Sequence, residues 1–487
     1  MRAAWRAADV RAAEQKLIES LPELTLMQRA AAGLARRCAG LLADRGGLYG
    51  RTVLLLVGAG NNGGDALFAG ARLARRGVAV RALLLAPDRA HREGLAALRQ
   101  AGGIVVGSVP STADMVVDGI VGIGAQGGLR GAAAEVVEAL GEVHTADQDR
   151  PIVVSVDVPS GVAVDSGAVE GPAVRADVTV TFGCLKPALV VGPAAQHAGH
   201  VDVVDIGLPW IDAPPAVWVP DAEDIARWWP RPGPSSTKYT RGVAGVATGS
   251  PAFPGAALLS VGGALAGPAG MIRYAGPIAV DVVRTYPPVV VSQRVAETGR
   301  VQAWLCGCGI GTDERARDEL RAVLGSSVPA VLDADALTLL ADGELNARVR
   351  RRAAPTVLTP HDNEFTRISG DRVGPDRVEA ARELAERLGA VVLLKGDRTV
   401  VATPDGMAWA NPTGTAVLAA AGTGDVLAGL LVALLAAGLP ANHAAVAAAF
   451  VHGLAGRRAV EYLGGEPAPV TASDVAAALP DVIASLG

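Results

Sequence analysis

The chain has 487 residues, 50% hydrophobic, 19% charged and only 3% aromatic, with a net charge of −5. That length exceeds one ordinary domain and predicts two or three, with cores built from Ala, Val and Leu. A slight negative charge with no basic block argues against a nucleic-acid partner, and 60 glycines without a fixed period argue against collagen and disorder. Four cysteines fit a reducing compartment. Cys306 and Cys308 flank Gly307 without a second pair at zinc-like spacing and read as spectators. Asp9 and Arg11 interrupt any signal-peptide core after Met1, so a cytoplasmic protein is expected.

In chain order, residues 7–42 read as helical, with a break at Pro22 and Glu23. Thr52-Val53-Leu54-Leu55-Leu56-Val57 is an apolar run bounded by glycines and predicts a buried strand. The loop Gly58-Ala59-Gly60-Asn61-Asn62-Gly63-Gly64-Asp65 follows, then a helix over 66–76. Further strands are expected at 78–85, 115–117, 152–158, 178–182 and 201–206, with helical stretches between most of them. Such alternation predicts an α/β domain whose parallel sheet is covered by helices on both faces. The joint Leu208-Pro209-Trp210-Ile211-Asp212-Ala213-Pro214-Pro215 places a boundary near 215, giving domains 1–215 and 216–487. A second α/β series has strands expected at 243–247, 278–283, 303–306, 330–333, 356–358, 391–395 and 399–402.

Late in that series stands Ala421-Gly422-Thr423-Gly424-Asp425-Val426-Leu427-Ala428-Gly429, a small-residue loop feeding an apolar helix that stops at Gly438. A helix N-terminus attracts phosphate, and Gly422 and Gly424 let backbone close on it. Asp425 is then placed to take a proton from a hydroxyl attacking phosphorus; the competing reading is a plain helix cap. A membrane span over 416–437 fails, because Asp425 at its centre costs about 3 kcal/mol.

Gly58-Ala59-Gly60-Asn61-Asn62-Gly63 matches the dinucleotide pattern GxGxxG after a strand, but lacks the acid at the end of the second strand. Its side-chain oxygens also suit hard cations, ribose or phosphate. Two more loops fall at strand ends: Asp118-Gly119-Ile120-Val121-Gly122-Ile123-Gly124-Ala125-Gln126-Gly127-Gly128 and Asp157-Val158-Pro159-Ser160-Gly161. In an open α/β sheet all three can converge on one ligand. Together these motifs resemble the NAD(P)H-hydrate epimerase family over about the first 210 residues. The resemblance implies a Rossmann-like fold that interconverts R and S hydrates of NADH and NADPH. It further implies a potassium ion (K+) near Asn62, Asp118 and Ser160. Substrate would lie along Asn61, Asn62, Gly63, Gly64 and Asp65, and along Gly122, Ile123, Gly124, Ala125, Gln126, Gly127 and Gly128, with Asp157 catalytic; for Asp157 a mere turn role competes. Ala66 stands where the family usually has glycine.

Four other pieces of the second half stand out. They are Thr248-Gly249-Ser250-Pro251 with Ala256 beyond it, Cys306-Gly307-Cys308-Gly309-Ile310-Gly311, Leu358-Thr359-Pro360-His361-Asp362-Asn363-Glu364, and Leu394-Lys395-Gly396-Asp397-Arg398-Thr399. His361 can reach a ligand or be a satisfied loop residue, and Lys395 can meet phosphate or be a solvated hairpin charge. With the Gly-Thr-Gly-Asp stretch these resemble the ADP- or ATP-dependent NAD(P)H-hydrate dehydratases of the ribokinase-like superfamily, over about residues 220–480. The resemblance implies nucleotide contacts from Lys395, Gly396, Asp397, Arg398, Thr399 and Gly424. Hydrated nicotinamide would meet Ala256, Gly311, His361 and the catalytic Asp425, with Mg2+ bridging the phosphates. The chain departs from the family at Gly414-Thr415-Ala416-Val417-Leu418-Ala419-Ala420 and at Thr237-Lys238-Tyr239-Thr240-Arg241-Gly242.

The expected protein is a bifunctional repair enzyme and a homo-oligomer, with hydrated NADH and NADPH and ADP, or ATP, as small-molecule substrates, and no membrane partner. A ribokinase-like small-molecule kinase fused to a nucleotide-binding domain is the enzyme alternative. A nucleotide-binding regulator without turnover is the non-enzyme one, disfavoured because a binder gains nothing from a carboxylate beside phosphate.

Overall fold

The computed structural model describes residues 1–124, 127–143, 150–465 and 468–486. The chain divides into two compact units, Ala3–Val217 and Trp218–Gly487, the second also claiming Met1 and Arg2. Among the described residues no helix is long and apolar enough to cross a membrane.

The first unit is built on a seven-stranded sheet. Across it lie Ile104–Val106, Ala79–Leu84, Thr52–Val57, Met115–Gly119, Ile152–Val156, Val178–Phe182 and His200–Val204, every neighbouring pair parallel. Chain order runs third, second, first, then fourth to seventh, so the direction of winding reverses between Thr52–Val57 and Met115–Gly119. A crevice at the carboxyl ends of those two strands is the expected ligand position. Thr52–Val57 is continuously apolar because both sides are covered. Val53, Leu55 and Val57 pack with residues of helices Thr25–Asp44 and Asn61–Ala74, while Leu54 and Leu56 pack on the other face with Val137 of helix Ala132–Val143.

The helix expected over 66–76 starts earlier, at Asn61, so Asn61 to Asp65 form its opening turn and are not loop. The glycines before it serve close approach: a Cβ on Gly58 would collide with the Ile120 carbonyl across the winding reversal. Ala66, the departure from the family pattern, is fully buried, and a Cβ on Gly119 would stand 2.7 Å from its methyl group. The room lost at 66 is supplied by the glycine at 119.

In the second unit the strands run Ala408–Ala410, Val400–Ala402, Val391–Leu394, Thr356–Leu358, Ala330–Leu332, Ala303–Cys306, Val243–Ala247, Met271–Ala275 and Val290–Ser292. Pairing is parallel from Val391–Leu394 to Val290–Ser292 and antiparallel among Val391–Leu394, Val400–Ala402 and Ala408–Ala410, beyond which Trp218 pairs in parallel with Trp409. Winding reverses between Val243–Ala247 and Ala303–Cys306. The strand expected at 278–283 is instead helix Ala279–Thr285. Its valines suggested a strand, but Ile278 and Val282 are buried while Val280 and Val283 are exposed, which is helical spacing. The strand there is Met271–Ala275, hidden in sequence by Arg273 in its middle.

Helix Thr423–Ala436 is buried along nearly its whole length. It lies against helix Pro254–Ala266 at a separation that only glycine allows. A Cβ on Gly429 would collide with the Ser260 carbonyl, and one on Gly263 with the Val426 carbonyl. This contact fixes the helix that carries Asp425. Gly429→Ala is expected to destabilise the second unit by about 1–3 kcal/mol, the usual cost of overpacking. Urea unfolding should show an earlier transition, and an unchanged midpoint would mean that the contact yields without strain.

Candidate active sites

In the first unit, three sets of residues follow the carboxyl ends of the sheet strands, the first of them at the winding reversal. Asp118, fully buried at the end of Met115–Gly119, accepts hydrogen bonds from Ser155 Oγ (2.8 Å), Ser160 N (2.9 Å) and Ser160 Oγ (2.5 Å). Ser160 Oγ also accepts from Val121 N at 3.0 Å. Burial pushes the Asp118 carboxyl up, and the hydrogen bonds from Ser160 and Ser155 oppose that. Asn62 is buried with its Nδ2 unpartnered, and its Oδ1 would stand 2.9 Å from a Cβ on Gly122. Asn62 and the Asp118–Ser160 pair thus meet the same short loop, Val121-Gly122. Oxygen donors around a buried carboxylate with no cationic side chain bonded to it among the described residues fit a hard cation.

The second set centres on Asp157. Its backbone φ is +68°, a conformation few non-glycine residues adopt and one that clusters at functional sites. Lys186, fully buried, donates to its Oδ1 at 2.5 Å, joined by Thr181 Oγ1 at 2.9 Å and Phe182 N at 3.3 Å. Lys186 also donates to Thr181 Oγ1 and to the Phe182 carbonyl, both at 2.9 Å. The sequence reading missed this lysine. Its signal is a single charge in the run Cys184-Leu185-Lys186-Pro187-Ala188-Leu189, which is tolerable only when paired.

The third set lines a cavity of about 230 Å³ that includes Asn61, Asp65, His91, Met27 and Phe182. Asp65 is buried with Oδ1 unpartnered, and burial, aided by Asp157 and Glu14, drives its carboxyl well above the usual range. Gly63 and Gly64 lie buried in the first turn of the same helix. Gly122, Ile123, Gly124, Gly127 and Gly128 lie on the partly exposed loop after Asp118, with Gly128 against the Glu170 carbonyl. Ala125 and Gln126 lie outside the described residues.

In the second unit the site residues follow the carboxyl ends of the sheet strands. Lys395 Nζ donates to Asp333 Oδ1 at 2.8 Å and lies 3.5 Å from Glu364 Oε2. Thr359 Oγ1 donates to the same Asp333 oxygen at 2.7 Å, and Cys308 Sγ reaches Asp333 Oδ2 at 3.5 Å. One ligand atom each of Cys308, Asp333 and Asp425 lies within 4.8 Å of the others. Cys308 is therefore part of the site and no spectator, whereas Cys306 is buried with its thiol pushed up by burial. Gly424 closes the group: a Cβ there would stand 3.5 Å from Lys395 Nζ.

Helix Thr423–Ala436 has Gly422 at its N-cap in the left-handed region, φ +86°, and no side-chain cap. Asp425 therefore does not cap its helix. Burial pushes its carboxyl up to about 7, Asp333 adding to the effect and a hydrogen bond with Cys308 and the Lys395 charge opposing it. Burial works to lower the Lys395 ammonium, but Asp333 and Glu364 outweigh it and hold it above its ordinary value. The Cys308 thiol is driven well above its ordinary range by burial, so it stays protonated. A protonated thiol is no partner for Mg2+, which leaves the carboxylate oxygens of Asp333 and Asp425 as the donors that fit.

The remaining expected residues scatter around this centre. Gly311 N donates to Asp335 Oδ2 at 2.8 Å, and Ala256 presses its methyl on Gly309. His361 caps helix Asp362–Ser369, its Nδ1 accepting from Asn363 N at 3.1 Å, so it is occupied by its own helix. Thr399 Oγ1 donates to the Gly396 carbonyl, and Arg398 donates to Pro412 O at 2.9 Å, across the strand turn from Asp397 and Gly414. Thr359 and Glu364, which flank His361 in its motif without a role assigned from sequence, and Asp333, which was not singled out, complete the site.

Residues 244–477 match the family model described as NAD(P)H-hydrate dehydratase, and residues 23–188 match the one described as YjeF-related protein N-terminus. The bifunctional NAD(P)H-hydrate repair enzyme Nnr of Mycobacterium tuberculosis is 49% identical over 446 residues, covering 91% of each chain. Its counterpart from Mycobacterium leprae is 46% identical over 487 residues, covering 100% of each. Among solved structures, the ADP/ATP-dependent NAD(P)H-hydrate dehydratase of Bacillus subtilis, co-crystallised with ATP/Mg2+, is 29% identical with a TM-score of 0.50, covering 56% of this chain and 99% of its own. A ribokinase-like superfamily protein of Enterococcus faecalis shares the fold at 22% identity and TM-score 0.50, covering 56% and 97%. With a site at the carboxyl ends of the strands in each unit and relatives matching along nearly the whole length, this chain belongs to the bifunctional NAD(P)H-hydrate repair enzymes.

Proposed function

We propose that the first unit epimerises R- and S-NAD(P)HX, the hydrated cofactors, and that the second dehydrates the S form at the expense of ADP, or ATP. The observation that carries the second half is Asp425, a carboxyl raised to about 7 beside a lysine and the glycine-lined start of a helix. Such a group is ionised often enough near neutral pH to act as a base and holds the proton well once it has it.

The C6 hydroxyl of the hydrate attacks the terminal phosphorus of the nucleotide and its proton passes to Asp425. The P–O bond to the leaving nucleotide breaks, giving AMP from ADP. The C6–O bond then breaks with phosphate leaving, driven by the ring nitrogen lone pair, and loss of a C5 proton restores the dihydropyridine. Lys395, Gly424 and the Gly396 to Thr399 turn hold the nucleotide phosphates in this reading. Ala256, Gly311 and His361 border the nicotinamide. Asp333 would hold Mg2+, which would neutralise charge on the phosphates.

In the first unit Asn62, Asp118 and Ser160 would hold K+. The substrate would run along Asn61 to Asp65 and the 122–128 loop, with Asp157 and its Lys186 partner at the reacting carbon. Four free cysteines, all buried, support a cytoplasmic setting, and we take the enzyme to be a homo-oligomer, which sedimentation would report.

Purified S isomer with ADP should yield NAD(P)H, AMP and free phosphate together. A stable phosphorylated product without cofactor recovery would favour the kinase alternative. Lys395→Ala should weaken nucleotide binding by about ten-fold or more and leave hydrate binding near wild type, as removal of a charge-assisted phosphate contact implies. Equilibrium binding of ADP measures this. An unchanged dissociation constant would leave Lys395 as a structural partner of Asp333.

A further inference from the structure

The cavity of the first unit is lined by two carboxyls, Glu14 and Asp65, that belong neither to the cation cluster nor to the Asp157 pair. Helix Ala7–Ser20 brings Glu14 to its wall, in a lining it shares with Asp65 and with Phe182, whose backbone N–H and carbonyl meet Asp157 and Lys186. The charged and titratable groups around Glu14 are Asp65 and His91 in the same lining, Asp157 and Lys186 bonded to the Phe182 backbone, and Arg11 on its own helix. Arg11 is directed elsewhere, donating to the Ile123 carbonyl at 3.0 Å. His91 Nδ1 accepts from Gly94 N at 3.1 Å and caps its own helix. Lys186 is committed to Asp157 at 2.5 Å. Glu14 is thus the one cavity carboxyl that is both without a bonded partner among the described residues and partly open to solvent, since Asp65 is closed in.

We propose that Glu14 is a catalytic residue of the epimerisation, serving one face of the C6 carbon while Asp157 serves the other. This rests on the epimerase reading above. An epimerisation must remove a hydroxyl from one face and return it to the opposite one, so it needs a proton donor and a proton acceptor that the substrate lies between. Protonated Glu14 gives its proton to the C6 hydroxyl, the C6–O bond breaks, and the ring nitrogen lone pair forms a C=N iminium as water leaves. A second water adds to the other face, forming the new C6–O bond. The electron pair returns to nitrogen and the surplus proton passes to Asp157. The return reaction exchanges the two roles, and solvent access at Glu14 restores its proton. Burial and the nearby Asp157 charge raise the Glu14 carboxyl, in the direction a donor needs.

The test uses the full chain with Glu14→Gln, supplied with mixed R and S isomers and ADP. Dehydration of the S fraction should proceed at the wild-type rate, which reports a folded enzyme in the same tube. Epimerisation of the R fraction should fall by about 10²-fold, toward the spontaneous rate. In the wild type the epimerisation rate should decline at high pH as Glu14 loses its proton, and Glu14→Gln should lose that alkaline limb. Glu14→Asp should recover part of the rate. Wild-type epimerisation in Glu14→Gln, or a rise in KM alone with the pH profile unchanged, overturns the proposal. A wild-type enzyme that never consumes the R isomer defeats the epimerase reading itself, which is a different result.

Discussion

Asp425→Asn is expected to lower dehydratase turnover by about 10²-fold or more while leaving ADP binding within a few fold. The amide keeps the shape of the side chain, and the helix loses no cap because Gly422, not Asp425, occupies that position. What is lost is the base. The wild type adds a pH signature: the chemical step should speed up as pH rises through about 7, where Asp425 ionises. Stability moves the other way. A carboxyl whose folded pKa lies above its ordinary 3.8 favours the folded state below that value, and the advantage disappears as pH rises through about 7. The uncharged asparagine escapes this loss, so above neutrality Asp425→Asn should melt no lower than the wild type. A variant with wild-type turnover removes Asp425 from the chemistry.

Asp157→Asn should stop epimerisation and spare dehydration. Asparagine is the better probe than alanine, because an alanine would leave fully buried Lys186 without its partner, at about 3–5 kcal/mol. Asparagine retains an oxygen for that ammonium and tolerates the φ of +68°. With mixed isomers the progress curve should become biphasic, a prompt conversion of S followed by the spontaneous exchange of R. Epimerisation should fall by about 10²-fold or more. A single complete phase matching the wild type returns Asp157 to a turn residue.

Much of the framework was legible because buried parallel strands advertise themselves as short apolar runs between glycines. Strands 52–57, 178–182, 243–247, 303–306 and 356–358 fall as expected. The glycine motifs then mark strand ends, where an open sheet keeps its sites. Charge pairing was not legible, because it is nonlocal. Lys186 meets Asp157 across 29 residues, and Asp333 meets Lys395 across 62. Asp157 and Lys395 stand in recognisable motifs, but Lys186 and Asp333 do not, and only the fold brings each pair together. Cys308 was misjudged for a related reason: its role depends on Asp333 and Asp425 and not on a cysteine spacing. The 278–283 segment is rich in valine, as strands are, but its burial follows a helical period.

The most direct test of the account incubates mixed R and S hydrates of NADPH with ADP and the intact chain, following reduced-cofactor absorbance and free phosphate together. The account predicts recovery of all the cofactor in one run, with one phosphate released per molecule restored. Absorbance that stays flat while a stable phosphorylated product accumulates would contradict it.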